Sequence, residues 1–196
     1  MIDWEFIEAQ EGFETAGYVP MAGGTPLGRS GVTIGAGVDL GQWSEAQLRR
    51  RRVPQNIIDQ VKPYLGVRGW LAVQLLEQKP LMLTEAEARR LTQTIRGDIV
   101  DLVIKRYEAE ARRQGSLRWD ALLDRCQTII VSVAFQYGAF LSKRTPNFHH
   151  QITTGRWRDA YENLMNFGDD YPSRRQREAE HLKPVLGSRL ITNSRR

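Results

Sequence analysis

The sequence predicts an α+β fold, mostly helical, with a small β element near its start. Three observations lead there. Residues 13–41 are rich in glycine and short apolar stretches, a composition suited to strands and turns. Nearly everything after residue 42 carries helical patterning. Within it, Thr84-Glu85-Ala86-Glu87 forms a capping box that opens a helical pattern extending to about Gly115. A helix that long projects past one lobe and can join two.

Asp3 is the expected N-cap of a first helix that Gly12 stops. At 100° per residue, Ile2, Phe6, Ala9 and Phe13 share the expected core stripe, with Trp4, Ile7 and Glu11 on a narrower second one. Glu5 and Glu8 point away from both. Short strands are expected at Ala16 to Val19 and at Gly31 to Leu40, connected through the Gly/Pro-rich segment 20–28 as a loop or hairpin. Ser44 and Gln47 make a capping box for a short helix, and another helix follows Pro54. Further helices are expected at Trp119–Tyr137, Pro146–Thr153, Trp157–Phe167 and Ser173–Leu186. Trp157 sits at helical spacing with Ala160, Tyr161 and Leu164, as a core residue would.

With 196 residues, the chain can bury the core of one domain, or of two small lobes sharing one. Hydrophobic residues at 41% and charged residues at 26% exclude a disordered or fibrous chain. No apolar run is long enough to span a bilayer. The opening residues lack the basic and then apolar segments of a secretory signal, so an exported role needs another route or a larger parent protein. The net charge of +5 favours a polyanionic partner: nucleic acid, anionic membrane or cell-wall polymer. Cys126, the single cysteine, lies in an apolar helical pattern and reads as a buried, inert thiol. The three histidines show no metal-ligand spacing, so neither metal nor cofactor is expected. Arg49-Arg50-Arg51-Arg52 and the Arg174-Arg175-Gln176-Arg177 cluster read as solvated helix ends or loops.

The chemistry concentrates in Val32-Thr33-Ile34-Gly35-Ala36-Gly37-Val38-Asp39-Leu40. Strand alternation gives this segment one wholly apolar face and another carrying Thr33, Gly35, Gly37 and Asp39. Bare glycine backbone between a hydroxyl and a carboxylate suits the floor of a polymer-binding groove. The alternative is a Gly-rich hairpin in which Asp39 only caps a turn before Gly41. Upstream, Glu11 has apolar neighbours and closes a helix, two features that disfavour its ionised form. Asp39, on an open strand, should be better solvated. Glycoside cleavage needs that contrast: one acid that holds its proton and one carboxylate that stays ionised.

The stretch Phe6-Ile7-Glu8-Ala9-Gln10-Glu11-Gly12-Phe13, with Tyr18 and then Thr33-Ile34-Gly35-Ala36-Gly37, resembles the catalytic opening of phage-type lysozymes. The continuation Val38-Asp39-Leu40-Gly41 is closer to the pesticin-like bacterial toxin muramidases. Pro20 stands where standard phage enzymes carry a catalytic aspartate, a departure shared with the pesticin-like group. A weaker similarity covers Val133-Ala134-Phe135-Gln136-Tyr137-Gly138 and the segments around Trp157 and Tyr171.

The resemblance implies a lysozyme-like fold: an N-terminal α+β lobe (about 1–80), a connecting helix (84–115) and a helical C-terminal lobe (116–196), with substrate in the cleft between. It implies Glu11 as general acid, Asp39 and Thr33 as the groups that orient water, and Tyr18, Gly35, Gly37, Gln136 and Tyr137 as substrate contacts. The expected reaction is inverting hydrolysis of the β-1,4 bond between N-acetylmuramic acid and N-acetylglucosamine, in an antibacterial toxin, effector or endolysin acting on a target cell's wall. Peptidoglycan is the expected partner, with a cognate immunity protein if the chain is a toxin. Nucleic acid is not expected, because charge and arginine clusters are unaccompanied by a recognition helix or a basic stripe with interleaved aromatics. The alternatives are a lytic transglycosylase needing only Glu11, a non-catalytic basic domain that binds nucleic acid, as charge and the arginine clusters would suit, and a domain that binds the wall without cutting it.

Overall fold

The computed structural model describes residues 1–188, apart from the side chain of Glu11. Helix α1 (Trp4–Glu11) begins where Asp3 accepts the Phe6 N–H at 2.9 Å, and it ends before Gly12 at φ +73°. The antiparallel sheet has the order β1-β4-β5, from β1 (Glu14–Tyr18), β4 (Thr33–Gly35) and β5 (Val38–Asp39). The connection 20–28 is itself a small hairpin, β2 (Met21–Ala22) with β3 (Thr25–Pro26). Next come α2 (Glu45–Arg50), α3 (Gln55–Val61), α4 (Trp70–Gln78) and the long α5 (Glu85–Arg113). The remaining helices are α6 (Asp124–Tyr137), α7 (Leu141–Arg144), α8 (Pro146–Thr153), α9 (Trp157–Met165) and α10 (Pro172–Leu182). No helix among the described residues is long and apolar enough to cross a membrane. A mostly helical chain with small antiparallel β elements is the α+β fold that the sequence predicts.

Both expected capping boxes are present. Ser44 accepts the Gln47 N–H while Gln47 accepts from Ser44, and Thr84 and Glu87 exchange the same pair of bonds at the start of α5. Each cap is worth about 0.5–2 kcal/mol.

Two compact units share the chain, one of residues 11–98 and one of residues 1–10 with 99 onward. The first ten residues therefore pack with the C-terminal unit, where the sequence had set them in an N-terminal lobe. In the 11–98 unit, the core gathers Val32, Ile34, Val38 and Leu40 with Leu48, Ile57, Ile58, Tyr64, Leu83, Leu91 and neighbours. All five expected apolar positions from Val32 to Leu40 are buried. In the other unit, Trp157, Phe148, Ile129, Ile130 and Leu182 anchor the larger core, and Ile7 joins Val100 and Val131 in a smaller cluster.

Several expectations are corrected. In α1 the buried residue is Ile7, fully enclosed, while Ala9 of the expected core stripe is exposed. Glu8, expected to point outward, is buried beside it. The rest of the predicted stripe is partly buried: Ile2 and Phe6 pack beside Ile7, and Phe13 packs on the core of the 11–98 unit. Segment 31–40 is a hairpin, because Gly35 and Gly37 take φ of +62° and +79° and reverse the chain between β4 and β5. Residues 119–121 form a separate 3-10 turn ahead of α6. Helices α4 and α7 have no counterpart in the sequence reading.

Cys126 is fully buried, and burial pushes its thiol up to about 12. The folded protein should leave a thiol-reactive dye unconsumed at pH 8, and should react with one equivalent once unfolded in urea. Fast labelling of the native protein would contradict this burial.

Candidate active site

The hairpin brings together residues that one straight strand would have kept at opposite ends. Thr33 pairs with Asp39 across β4 and β5, and Tyr18 of β1 pairs with Thr33 on the other side. Directly opposed residues of antiparallel strands project to the same face. Tyr18, Thr33 and Asp39 thus form one row across the sheet, while the Ile34–Val38 pair on the opposite face is sealed in the core. The groove floor with Thr33 and Asp39 at its two ends is corrected accordingly. Tyr18 is exposed, Asp39 half-buried and Thr33 nearly closed off, with 4% of its surface accessible. Burial first, and then the charge of Glu14, push the Tyr18 phenol above its ordinary range.

The glycines of the turn have separate parts. A Cβ on Gly35 would run into the Thr92 hydroxyl of α5, so this buried glycine is required by the turn and its packing. Gly37 is exposed. Helix α5 holds the Ala36 peptide between them at both ends: Thr92 Oγ1 accepts its N–H at 3.2 Å, and Arg96 donates to its carbonyl.

Asp39 sits in a built cradle. Its Oδ1 accepts the backbone N–H groups of Gly31 and Gly41, each at 2.9 Å, and its Oδ2 accepts from Gln42 Nε2 at 3.2 Å. Both amides reach one oxygen because the two glycine backbones touch. A Cβ on Gly31 would lie 2.6 Å from the Gly41 Cα and 2.5 Å from the Val67 carbonyl, and one on Gly41 would lie 2.9 Å from the Gly31 Cα. Thr33 Oγ1 donates to the Gly31 carbonyl at 3.4 Å, tying the hydroxyl to the same peptide. Asp39 does cap the turn at Leu40–Gln42, as the plainer reading held, and it does so through Oδ1. Its outer oxygen meets only a side-chain amide in this network. Glu11 closes α1, and its side chain lies outside the described residues.

With this geometry in view, one comparison is decisive. The model of the pesticin family, described as bacterial toxin homologue of phage lysozyme, C-terminal part, matches residues 1–158 of the 196. The chain belongs to the pesticin family. Membership places it in the lysozyme class of glycoside hydrolases, among muramidase-type toxins. No curated protein matches the chain.

In this pesticin-family chain, the other two expected substrate contacts, Gln136 and Tyr137, end α6 in the C-terminal unit and belong to a polar network of their own. The Tyr137 hydroxyl donates to Asp169 Oδ2 at 2.5 Å, and Gln136 Oε1 accepts from Arg175. Arg175 also donates to Asp169 at 3.0 Å and to Glu178, and stacks its guanidinium 4.9 Å from the Phe167 ring centre. Arg174 reaches Glu178 Oε1 at 3.2 Å and the Ser132 carbonyl at 2.9 Å. Arg174 and Arg175 are therefore buried, with 8% and 1% exposure, which corrects their reading as solvated bases. Glu178 is fully enclosed. Burial raises its carboxyl, against the pull of Arg175, Ser132 and Arg174. Burial works the same way on Asp169 but is outweighed by Tyr137, Tyr171 and Arg175, so that carboxyl lies below its ordinary range. The Tyr137 phenol is pushed up to about 12, chiefly by burial and then by Asp169. The sequence carried a trace of this network, since Arg174 and Arg175 stand four and three residues before Glu178. Nothing in it announced Thr92, Arg96, Gln42 or Arg68.

Two variants probe these arrangements. Gly31→Ala should cost about 1–3 kcal/mol through forced separation of the two backbones, read by urea denaturation. Glu178→Gln leaves buried guanidinium charge without its carboxylate and should cost about 3–5 kcal/mol by the same measurement. Native stability in either variant would contradict the packing described.

Proposed function

We propose that the chain is a muramidase that hydrolyses the β-1,4 bond between N-acetylmuramic acid and N-acetylglucosamine in peptidoglycan. Glu11 protonates the leaving oxygen. Asp39, through Oδ2, orients a water on the opposite face of the sugar, and the Thr33 hydroxyl helps to position it. Threonine cannot take a proton at neutral pH, so Thr33 positions and does not act as base. Tyr18 contacts the glycan from the sheet, with the Gly35–Gly37 turn beside it. Such a single displacement inverts the anomeric centre and requires the two carboxyls roughly 6.5–9.5 Å apart.

The observation that carries this reading is the row of Tyr18, Thr33 and Asp39 on one face of the sheet. Family membership supports the substrate class. The end of a helix supports the acid role of Glu11, since the negative pole of the dipole disfavours an ionised carboxylate there. A net charge of +5 suits the anionic wall of a target bacterium. A toxin of this kind requires a cognate immunity protein in the producing cell.

On purified sacculi, Glu11→Gln should lower the rate of wall clearance about 10²–10⁴-fold with an unchanged melting transition. A variant that clears walls at the native rate would remove Glu11 from the mechanism. Early-time NMR of wild-type digests should show the α-anomer at the new reducing end. A β-anomer contradicts the inverting displacement, and an anhydro end identifies a lytic transglycosylase.

A further inference from the structure

Asp39 does not set the direction of its outer oxygen alone. Gln42 is exposed, and its Nε2 lies 3.2 Å from Asp39 Oδ2. A glutamine amide has a donor end and an acceptor end of the same shape, and either could face a neighbour. Asp39, which only accepts, and Arg68, which only donates, together remove that freedom. A guanidinium has donors only, so the end of Gln42 that meets Arg68 Nη2 at 3.0 Å must be the oxygen, and the NH₂ must turn to the carboxylate. Arg68 is itself anchored. Its Nε donates to the Gly41 carbonyl at 2.7 Å, and its backbone bridges to Gly31. Gly31 and Gly41 are also the residues whose amides hold Oδ1. A closed circuit results: Arg68 orients Gln42, Gln42 holds Oδ2, and both ends return to the two glycines in the cradle.

We infer that Gln42 is a positioning residue for the hydrolysis, with its amide orientation set by Arg68. The inference rests on the proposed role of Asp39 as the carboxylate that orients water. A carboxylate pinned only at Oδ1 can still swing its outer oxygen, and a misplacement of about 1 Å at a reacting group can lower the rate on the order of 10²-fold. The Gln42 N–H fixes Oδ2 from one side, so that a water on the other side meets a lone pair of defined direction. Without Arg68, the exposed amide loses the anchor on its oxygen and can swing into solvent, leaving Oδ2 unheld. Arg68 thus acts through Gln42.

The test is a double-mutant cycle on soluble peptidoglycan fragments, with kcat and KM measured separately. Gln42→Leu should lower kcat about ten- to hundred-fold, with KM within about two-fold of wild type and an unchanged melting temperature, because the side chain is exposed. Arg68→Met should lower kcat to a similar degree, and Arg68→Lys should recover part of it by restoring a donor to the Gln42 oxygen. The double variant Gln42→Leu with Arg68→Met should be no slower than Gln42→Leu alone. Native kcat in Gln42→Leu overturns the inference. Multiplying losses in the double variant overturn the orienting role of Arg68. A wild-type protein that cuts no peptidoglycan fails at the proposed function itself, an outcome distinct from an active wild type beside an equally active Gln42→Leu.

Discussion

The close approach of two glycine backbones, Gly31 against Gly41, is the constraint on which the candidate site depends. Because neither residue carries a Cβ, their amides converge on one carboxylate oxygen of Asp39. That convergence closes the end of the β4–β5 hairpin, sets Asp39 opposite Thr33, and leaves the second oxygen to side-chain chemistry. At the other end of the hairpin, Thr92 and Arg96 hold the turn against α5. A short hairpin with two residue pairs has little stability of its own. Here the glycine contact at one end and helix α5 at the other fix it, while Ile34 and Val38 are buried beneath.

In the C-terminal unit the constraint has the opposite character. There, Arg174, Arg175 and Glu178 of α10 are enclosed with Ser132 and Gln136 of α6 and with Asp169. Buried charges are costly unless every partner is in place, so the network fixes geometry more than it adds stability. It also fixes Gln136 and Tyr137 at the end of α6, so these side chains have defined directions.

How much of this the sequence revealed follows from the range of each signal. Capping boxes are local, and Ser44/Gln47 and Thr84/Glu87 were both legible. So was the Asp3-to-Gly12 span of α1, with a cap at one end and a stop at the other. The alternation from Val32 to Leu40 correctly gave the buried face, because a tight hairpin preserves the two-residue period of its strands. The same period concealed the turn, so Thr33 and Asp39 looked distant although they are cross-strand neighbours. Helix α4 was missed because it starts after Gly69 at φ +60° with no side-chain cap. Arg174 and Arg175 were read as solvated because burial of a charge depends on partners brought in by the fold, and Ser132 lies 42 residues from Arg174. The family resemblance read from residues 6–41 was sound, and its reach along the chain proved longer than the motifs that first suggested it.

Asp39 performs a structural task that can be separated from the catalytic task proposed for it. An asparagine at this position keeps an oxygen for the Gly31 and Gly41 amides but can neither carry the negative charge nor activate water. The decisive measurement is therefore peptidoglycan turnover by Asp39→Asn beside its urea-unfolding free energy. Stability should stay within about 1 kcal/mol of wild type while turnover falls about 10²-fold or more. Native turnover in a normally folded Asp39→Asn protein would reduce Asp39 to a turn cap and remove it from the chemistry.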